Sequence, residues 1–251
     1  MILCPLFGRK KTAGFTLIEL LVVIVILGLL IALSTGAVIR LQKSASTAIA
    51  AAALTQLSSA SQLYLAENQN TFWKYREFIS GEGYIWWFGF EAFQSIGSAE
   101  GTRDLDKSRG PLGPYLADSG SLKTDPAFTA HGATFKPKYG DTHFGYGYNN
   151  TLEGKNALTL DRPGQVVVFA TSAQVNTFQS PASASNPMIE EFYLINERET
   201  TVHFRVGGKA MVAFADGNVG LLPMEPTTLD ARMPEAKIGR FAPVGDRKYM
   251  E

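Results

Sequence analysis

From residue 15 to residue 33 the chain reads FTLIELLVVIVILGLLIAL, an apolar run broken by a single charge, Glu19, and residues 34–39 extend it without another charge before Arg40. A hydrocarbon core about 30 Å thick needs about 20 helical residues, whereas a secretory h-region covers only about 7–15. The run is therefore long enough to cross a bilayer as one helix. Arg9, Lys10 and Lys11 precede it and Arg40 and Lys43 follow, a modest positive-inside bias that places the N-terminus on the cytoplasmic side. Glu19 is the anomaly, since an acid inside a membrane helix costs about 2.5–3.5 kcal/mol on insertion scales. A cut between Gly14 and Phe15 would free an α-amino group one helical turn from Glu19, able to neutralise it on the same or a neighbouring chain. The competing account is a carboxylate near the helix end that snorkels to the headgroups.

Treating residues 1–14 as a removable leader changes the composition that matters. The 251 residues carry 23 Lys and Arg against 23 Asp and Glu, so losing Arg9, Lys10 and Lys11 leaves 20 cations against 23 acids, a net charge of −3. That field does not suit a phosphate backbone, and no specific nucleic-acid partner is expected. The only cysteine, Cys4, goes with the leader, which removes disulfides and thiol chemistry from the processed chain.

Beyond Arg40 the residues stay rich in Ala, Leu and Gln, with no Pro or Gly until Gly81, so the helix is expected to continue and to end near residues 68–70. Ile49, Ala53, Leu57, Ala60 and Tyr64 form one apolar stripe, expected to dock on the chain's own globular part, with packing against other subunits as the alternative. In the apolar half, Gly28, Ala32, Ser34, Gly36 and Ala37 permit close approach of neighbouring helices. The division expected is a leader at 1–14, a transmembrane and assembly helix at 15–39, an amphipathic continuation at 40–70 and a globular head at 71–251.

After residue 71 the helical period gives way to short runs punctuated by Gly and Pro, the pattern of strands, turns and loops. The aromatic cluster at 84–90, YIWWFGF, is expected to build core, and the polar stretch 95–113 to form a surface loop. Strands are expected at 165–171, QVVVFAT, and 191–195, EFYLI. A β-hairpin is expected over 209–222, its two-residue turn formed by Asp216 and Gly217 with both at positive φ. Pro223 and Pro226 stop it, and the tail from 227 to 251 is expected to be irregular and to wrap the head. The fold class is therefore α+β: a long N-terminal helix packed on a small antiparallel sheet with long loops.

Signals for chemistry are weak. His131, His143 and His203 form no helical pair and no HExxH, so no zinc site is expected. Asp141 and His143 read as a surface hydrogen-bonding couple. Asp216, Asn218, Asp230 and Asp246 offer oxygens without EF-hand spacing, and no metal is expected. With no nucleophile elbow and no phosphate loop, no cofactor and no enzymatic activity are expected.

Two segments resemble known sequences. Residues 10–24, KKTAGFTLIELLVVI, closely resemble the leader and cleavage/methylation segment of type IV pilins and type II secretion pseudopilins. That resemblance implies a prepilin peptidase that cuts after Gly14 and N-methylates Phe15, with Glu19 pairing with a neighbouring subunit's N-terminus in the filament. It implies as partners other pilin or pseudopilin subunits, an inner-membrane assembly platform and the lipid bilayer. It further implies a single-pass bacterial inner-membrane protein, N-terminus cytoplasmic and head extracytoplasmic, that enters a filament after processing. Residues 204–219 resemble the H-X9-DG segment of many proteins carrying that N-terminus, and Arg162-Pro163 and residues 145–149 are similar to other elements of the group. Val206 stands where that motif has its His, and His203 lies three positions earlier. A membrane-anchored extracytoplasmic binding module or enzyme is the other reading of such an anchor.

Overall fold

The computed structural model describes residues 16–116, 122, 124–141 and 143–251, with the side chains of 32–43 and 129 outside the description. Two compact units divide the chain, Met1–Ser44 and Ala45–Glu251. Helix α1 runs Leu17–Glu67. It stops in a turn where Gln69 and Asn70 take positive φ of 54° and 56°, a conformation that Asn tolerates and that ends helical hydrogen bonding.

In the second unit the buried face of α1 is Ala50, Ala53, Leu54, Leu57, Ala60 and Leu65, spaced at three and four residues as one helical stripe. The stripe is rotated from the expected one: Ile49 is 41 % exposed. Its place is taken by Ala50 and Leu54, a choice the Ala-rich sequence leaves open because apolar residues surround the helix there.

The stripe lies against a five-stranded sheet. In chain order the strands of the head are β1 (Arg76–Ile79), β2 (Gly83–Trp86), β3 (Gly89–Ala92), β4 (Tyr146–Asn149), β5 (Val167–Thr171), β6 (Gln174–Asn176), β7 (Met188–Glu190), β8 (Leu194–Ile195), β9 (Val202–His203), β10 (Lys209–Phe214), β11 (Val219–Pro223) and β12 (Ile238–Gly239). The main sheet has the order β11-β10-β5-β4-β8, antiparallel except for the parallel β4/β8 pair; β1-β2-β3, β6-β7 and β9-β12 form smaller antiparallel sheets. All five residues of β5 are buried, because the sheet is covered on both faces and a doubly covered strand reads as a continuous apolar run. On the helix side Val168, Phe169, Met211 and Ala213 join Leu54, Leu57, Trp73, Trp87 and Tyr148. On the other side Val167, Ala170, Ala210 and Val212 pack with Phe204, Phe241 and Met250. The tail thus supplies a third layer, and β5 takes Tyr249 into its bonding through Val167 N–H to the Tyr249 carbonyl at 2.8 Å. Met250 accepts from Asn149 Nδ2 at 3.0 Å and Thr151 Oγ1 at 2.8 Å.

Three local expectations are corrected. The hairpin exists, but its turn has positive φ at Gly217 alone (95°). Gly217 N–H donates to the Phe214 carbonyl at 3.0 Å and Phe214 N–H to the Asn218 carbonyl at 2.8 Å, a three-residue connection with glycine at the left-handed position. The turn with two positive φ values sits nine residues earlier, at Gly207 (60°) and Gly208 (80°), where Val206 and Lys209 exchange both backbone hydrogen bonds. In the expected strand 191–195 only Leu194 and Ile195 pair, with β4. Finally, the polar stretch 95–113 is not merely a surface loop: Leu112 is fully buried and Ser95 exchanges hydrogen bonds with the Asp104 backbone.

Candidate functional site

At the start of α1, Thr16 and Glu19 make a reciprocal pair. Glu19 Oε2 accepts from Thr16 N–H and from Thr16 Oγ1, each at 2.8 Å, and Thr16 Oγ1 accepts from Glu19 N–H at 3.3 Å. The Thr16 carbonyl takes the first helical hydrogen bond, from Leu20 at 3.2 Å. This is a capping box, in which residues three apart satisfy donors that a helix N-terminus leaves unpaired. The T-x-x-E spacing of residues 16–19 could have revealed it from sequence, and Thr16 is the capping residue that the reading by charge alone overlooks. Glu19 thereby has an intrachain partner, on the mature side of the expected cut. Gly14 and Phe15 lie outside the described residues.

From Leu17 to Ile31 the large apolar side chains are exposed, Leu17 at 89 % and Ile31 at 64 %, and a Cβ added at Gly28 would meet nothing within 4 Å. Among the described residues no helix is long and apolar enough to cross a membrane. The expected span of 15–39 includes Phe15 and the side chains from residue 32 onward, which lie outside the description.

Within the head, the Asp216-Gly217 turn is tied to α1. Ser58 Oγ donates to the Gly217 carbonyl at 3.2 Å and Gln62 Nε2 to the Ala215 carbonyl at 3.0 Å. Asp216 uses its carboxylate locally, accepting from Asn218 N–H at 3.0 Å and Asn218 Nδ2 at 2.7 Å. Asp230 is held by Arg232 at 2.6 Å, and Asp246 accepts from Lys248 N–H at 2.9 Å. Asp216 and Asn218 thus satisfy one another, and among the described residues no group of three or more His, Cys, Asp or Glu could hold a metal ion.

Two buried charge clusters were not legible in the sequence. In one, Glu91 pairs with Arg103 at 2.6 Å, Arg103 with Glu100 at 3.3 Å, Glu100 with Lys136 at 3.2 Å and Lys136 with Glu190 at 2.9 Å. Burial alone would raise the Glu190 carboxyl; Lys138 and hydrogen bonds from Lys136 and Asn176 outweigh it and hold the group below its ordinary value. Nearby, Glu191 takes His143 Nδ1 at 3.3 Å while Asp141 takes Lys107 at 3.6 Å, so each member of the expected Asp141–His143 couple has a charged partner of its own. In buried pairs of this kind the attraction mainly offsets the cost of taking both charges out of water, so removing one partner is costly even where the intact pair adds little stability.

The second cluster centres on Arg205, whose Nη2 meets Asp125 Oδ2 at 2.6 Å with both side chains buried. Arg205 Nη1 lies 3.3 Å from His203 Nδ1. A guanidinium can only donate, so His203 accepts on Nδ1 and carries its proton on Nε2. Burial, then Arg205 and His131, push His203 well below its ordinary value, and burial and Arg205 lower His131. His203 is therefore a neutral core histidine, and Val206, in the motif's His position, is buried beside the Gly207-Gly208 turn.

Comparison with known proteins bears on the N-terminus. A profile of the prokaryotic N-terminal methylation motif matches residues 9–35. The chain carries the type IV pilin and pseudopilin signal. The match contains Gly14, Phe15, Thr16 and Glu19, and with it an implied substrate relationship to prepilin peptidase and to assembly with other pilins. The α+β head, a helix on an antiparallel sheet, is consistent with a pilin-like fold. No curated protein and no solved structure matches the chain.

Proposed function

We propose that the chain is a structural subunit of a type IV pilus-like or type II secretion pseudopilus filament, cleaved after Gly14, N-methylated on Phe15 and assembled through its apolar N-terminal helix. The observation that carries this reading is the methylation motif over residues 9–35, joined to an apolar helix with one acid at its start. The processed chain is anchored in the inner membrane with its head extracytoplasmic, and its role is structural, not enzymatic. Assembly gives Glu19 a choice of partners: the Thr16 cap within the chain, or the amine of a neighbour's Phe15, a full charge that a low-dielectric bundle favours over a neutral hydroxyl.

Mass spectrometry of the mature N-terminus tests the proposal. A chain beginning at N-methylated Phe15 is expected, and a full-length chain starting at Met1, or one cut elsewhere, would overturn it. Glu19→Ala should still insert, since it makes the span cheaper, and should fail to enter filaments; filament yield equal to wild type would remove Glu19 from the mechanism.

A further inference from the structure

The three-stranded sheet of the head has one filled edge and one open edge. On β3, Phe90 and Asp106 exchange both backbone hydrogen bonds, at 2.8 and 2.9 Å. On β1, no strand or bridge among the described residues pairs with the outer side. The Tyr75 carbonyl accepts from Trp87 N–H at 3.0 Å and so points toward β2. Backbone groups alternate in direction along a strand, which turns the N–H and C=O of Arg76 and Phe78 outward. The side chains of these two residues share one face, Arg76 opposite Trp86 and Phe78 opposite Tyr84. Phe78 is 59 % exposed, with Tyr84 at 5.7 Å and Phe93 at 5.9 Å. The exposed Arg76 guanidinium lies over the Tyr84 ring at 4.9 Å and the Trp86 ring at 5.4 Å.

The two rings orient that cation without neutralising it. The acid on the same face, Glu91 of β3, is fully buried and taken by Arg103 at 2.6 Å and Trp86 Nε1 at 3.1 Å. Glu77 points to the other face and goes to Lys74 at 3.3 Å. Arg76 therefore has no ion-pair partner among the described residues. An open backbone edge, an exposed ring and an uncompensated cation at alternate positions specify an occupant. Adding to the edge requires an extended segment, with an apolar residue directly opposite Phe78 and an acid directly opposite Arg76. Strands without that acid are disfavoured, since a charge on an edge guards it against indiscriminate pairing. A second copy's β1 does not meet the requirement: the register that sets Arg76 of each copy against Phe78 of the other opposes Glu77 to Glu77 and gives Arg76 no acid. We propose that β1 is the docking edge for an extended segment of another protein, apolar-x-acid from N- to C-terminus, which joins the sheet as a fourth antiparallel strand. The edge belongs to the Ala45–Glu251 unit, so the inference stands or falls separately from the filament proposal.

The test uses the processed full chain in a zwitterionic detergent and capped, fluorescein-labelled heptapeptides. TTITETT carries the pattern, TTITKTT reverses its charge, and a third is TTITETT N-methylated on the isoleucine and the glutamate, whose N–H groups face β1 in the proposed pairing. Fluorescence anisotropy is expected to rise saturably with TTITETT, and amide exchange at Arg76 and Phe78 to slow on binding. TTITKTT should bind about tenfold more weakly, the swing from an attractive to a repulsive cross-strand pair, and the methylated peptide should not bind. Arg76→Glu, at an exposed position that leaves the core untouched, should invert the preference, so that TTITKTT binds more tightly than TTITETT. Apolar stickiness alone would not produce that inversion. Silence from TTITETT would overturn the proposal. So would equal binding of the methylated peptide, or a preference that Arg76→Glu leaves unchanged.

Discussion

Lowering the pH from 7 to 5 should weaken the head through His203. The imidazole is 2 % exposed, lies beside the Arg205 guanidinium at 3.3 Å and is neutral in the folded chain because its value is pushed far down from 6.5. In the unfolded chain nothing suppresses protonation. The sign follows from where the proton goes first: as the pH falls through 6.5 the unfolded state takes it up and the folded state does not, so stability is complete above that value and is lost below it. At pH 5 about 97 % of unfolded chains carry the proton, which favours unfolding by about 2 kcal/mol. Carboxylates such as Glu190, held below 4.5 in the fold, act only at lower pH and do not confuse the window. His203→Gln keeps an acceptor for Arg205 without titrating, so urea unfolding followed by tryptophan fluorescence at pH 7 and pH 5 should give a difference smaller by about 2 kcal/mol than in the wild type. His131, half-buried beside the same guanidinium, contributes in the same direction and remains in both proteins. Equal pH dependence in the two would refute the assignment of a neutral, acid-sensitive His203.

Asp125→Ala leaves Arg205 buried without its carboxylate and is expected to cost about 3–5 kcal/mol in urea unfolding; a loss under about 1 kcal/mol would mean that water reaches the guanidinium. Leu57→Ala, at a fully buried position of the α1 stripe, should cost about 2–5 kcal/mol, whereas Ile49→Ala, at 41 % exposure, should cost less than about 1 kcal/mol in the same assay. The opposite ranking would restore the stripe read from spacing. Thr16→Val removes the hydroxyl that caps Glu19 N–H and should weaken the helix start by about 1 kcal/mol, seen as amide exchange at Glu19 about fivefold faster; unchanged exchange would show that the box is not formed in the processed chain.

What was readable in the chain depended on whether the signal was local. Glu19 stands out because a charge in an apolar run has a cost no neighbour hides, and the end of α1 because Asn68, Gln69 and Asn70 favour a turn over more helix. Strand β5 showed itself as VVVF, since covering both faces of a strand leaves no polar alternation. The hairpin over 209–222 was legible from its two runs, but both the Asp-Gly and the Gly-Gly dipeptides suit positive φ, and the Gly-Gly pair took the two-residue turn while Asp216 spent its carboxylate on Asn218. The charge clusters left no trace. Glu91 and Arg103 are 12 residues apart and Lys136 and Glu190 are 54 apart, each reads alone as an ordinary exposed charge, and only the fold brings them out of water together. Arg205 and Asp125 are separated by 80 residues, and His203 looks from sequence like a displaced motif residue instead of the core group it is.

The carbonyls of Tyr249 and Met250 complete the hydrogen bonding of Val167, Asn149 and Thr151, and Met250 fills the sheet's outer layer. Trimming the chain back to residue 248 would therefore take the acceptor from a central-strand amide and part of the apolar cover from Val167, Ala170 and Val212, so an exopeptidase working on the tail would loosen the middle of the head and not merely a surface strand.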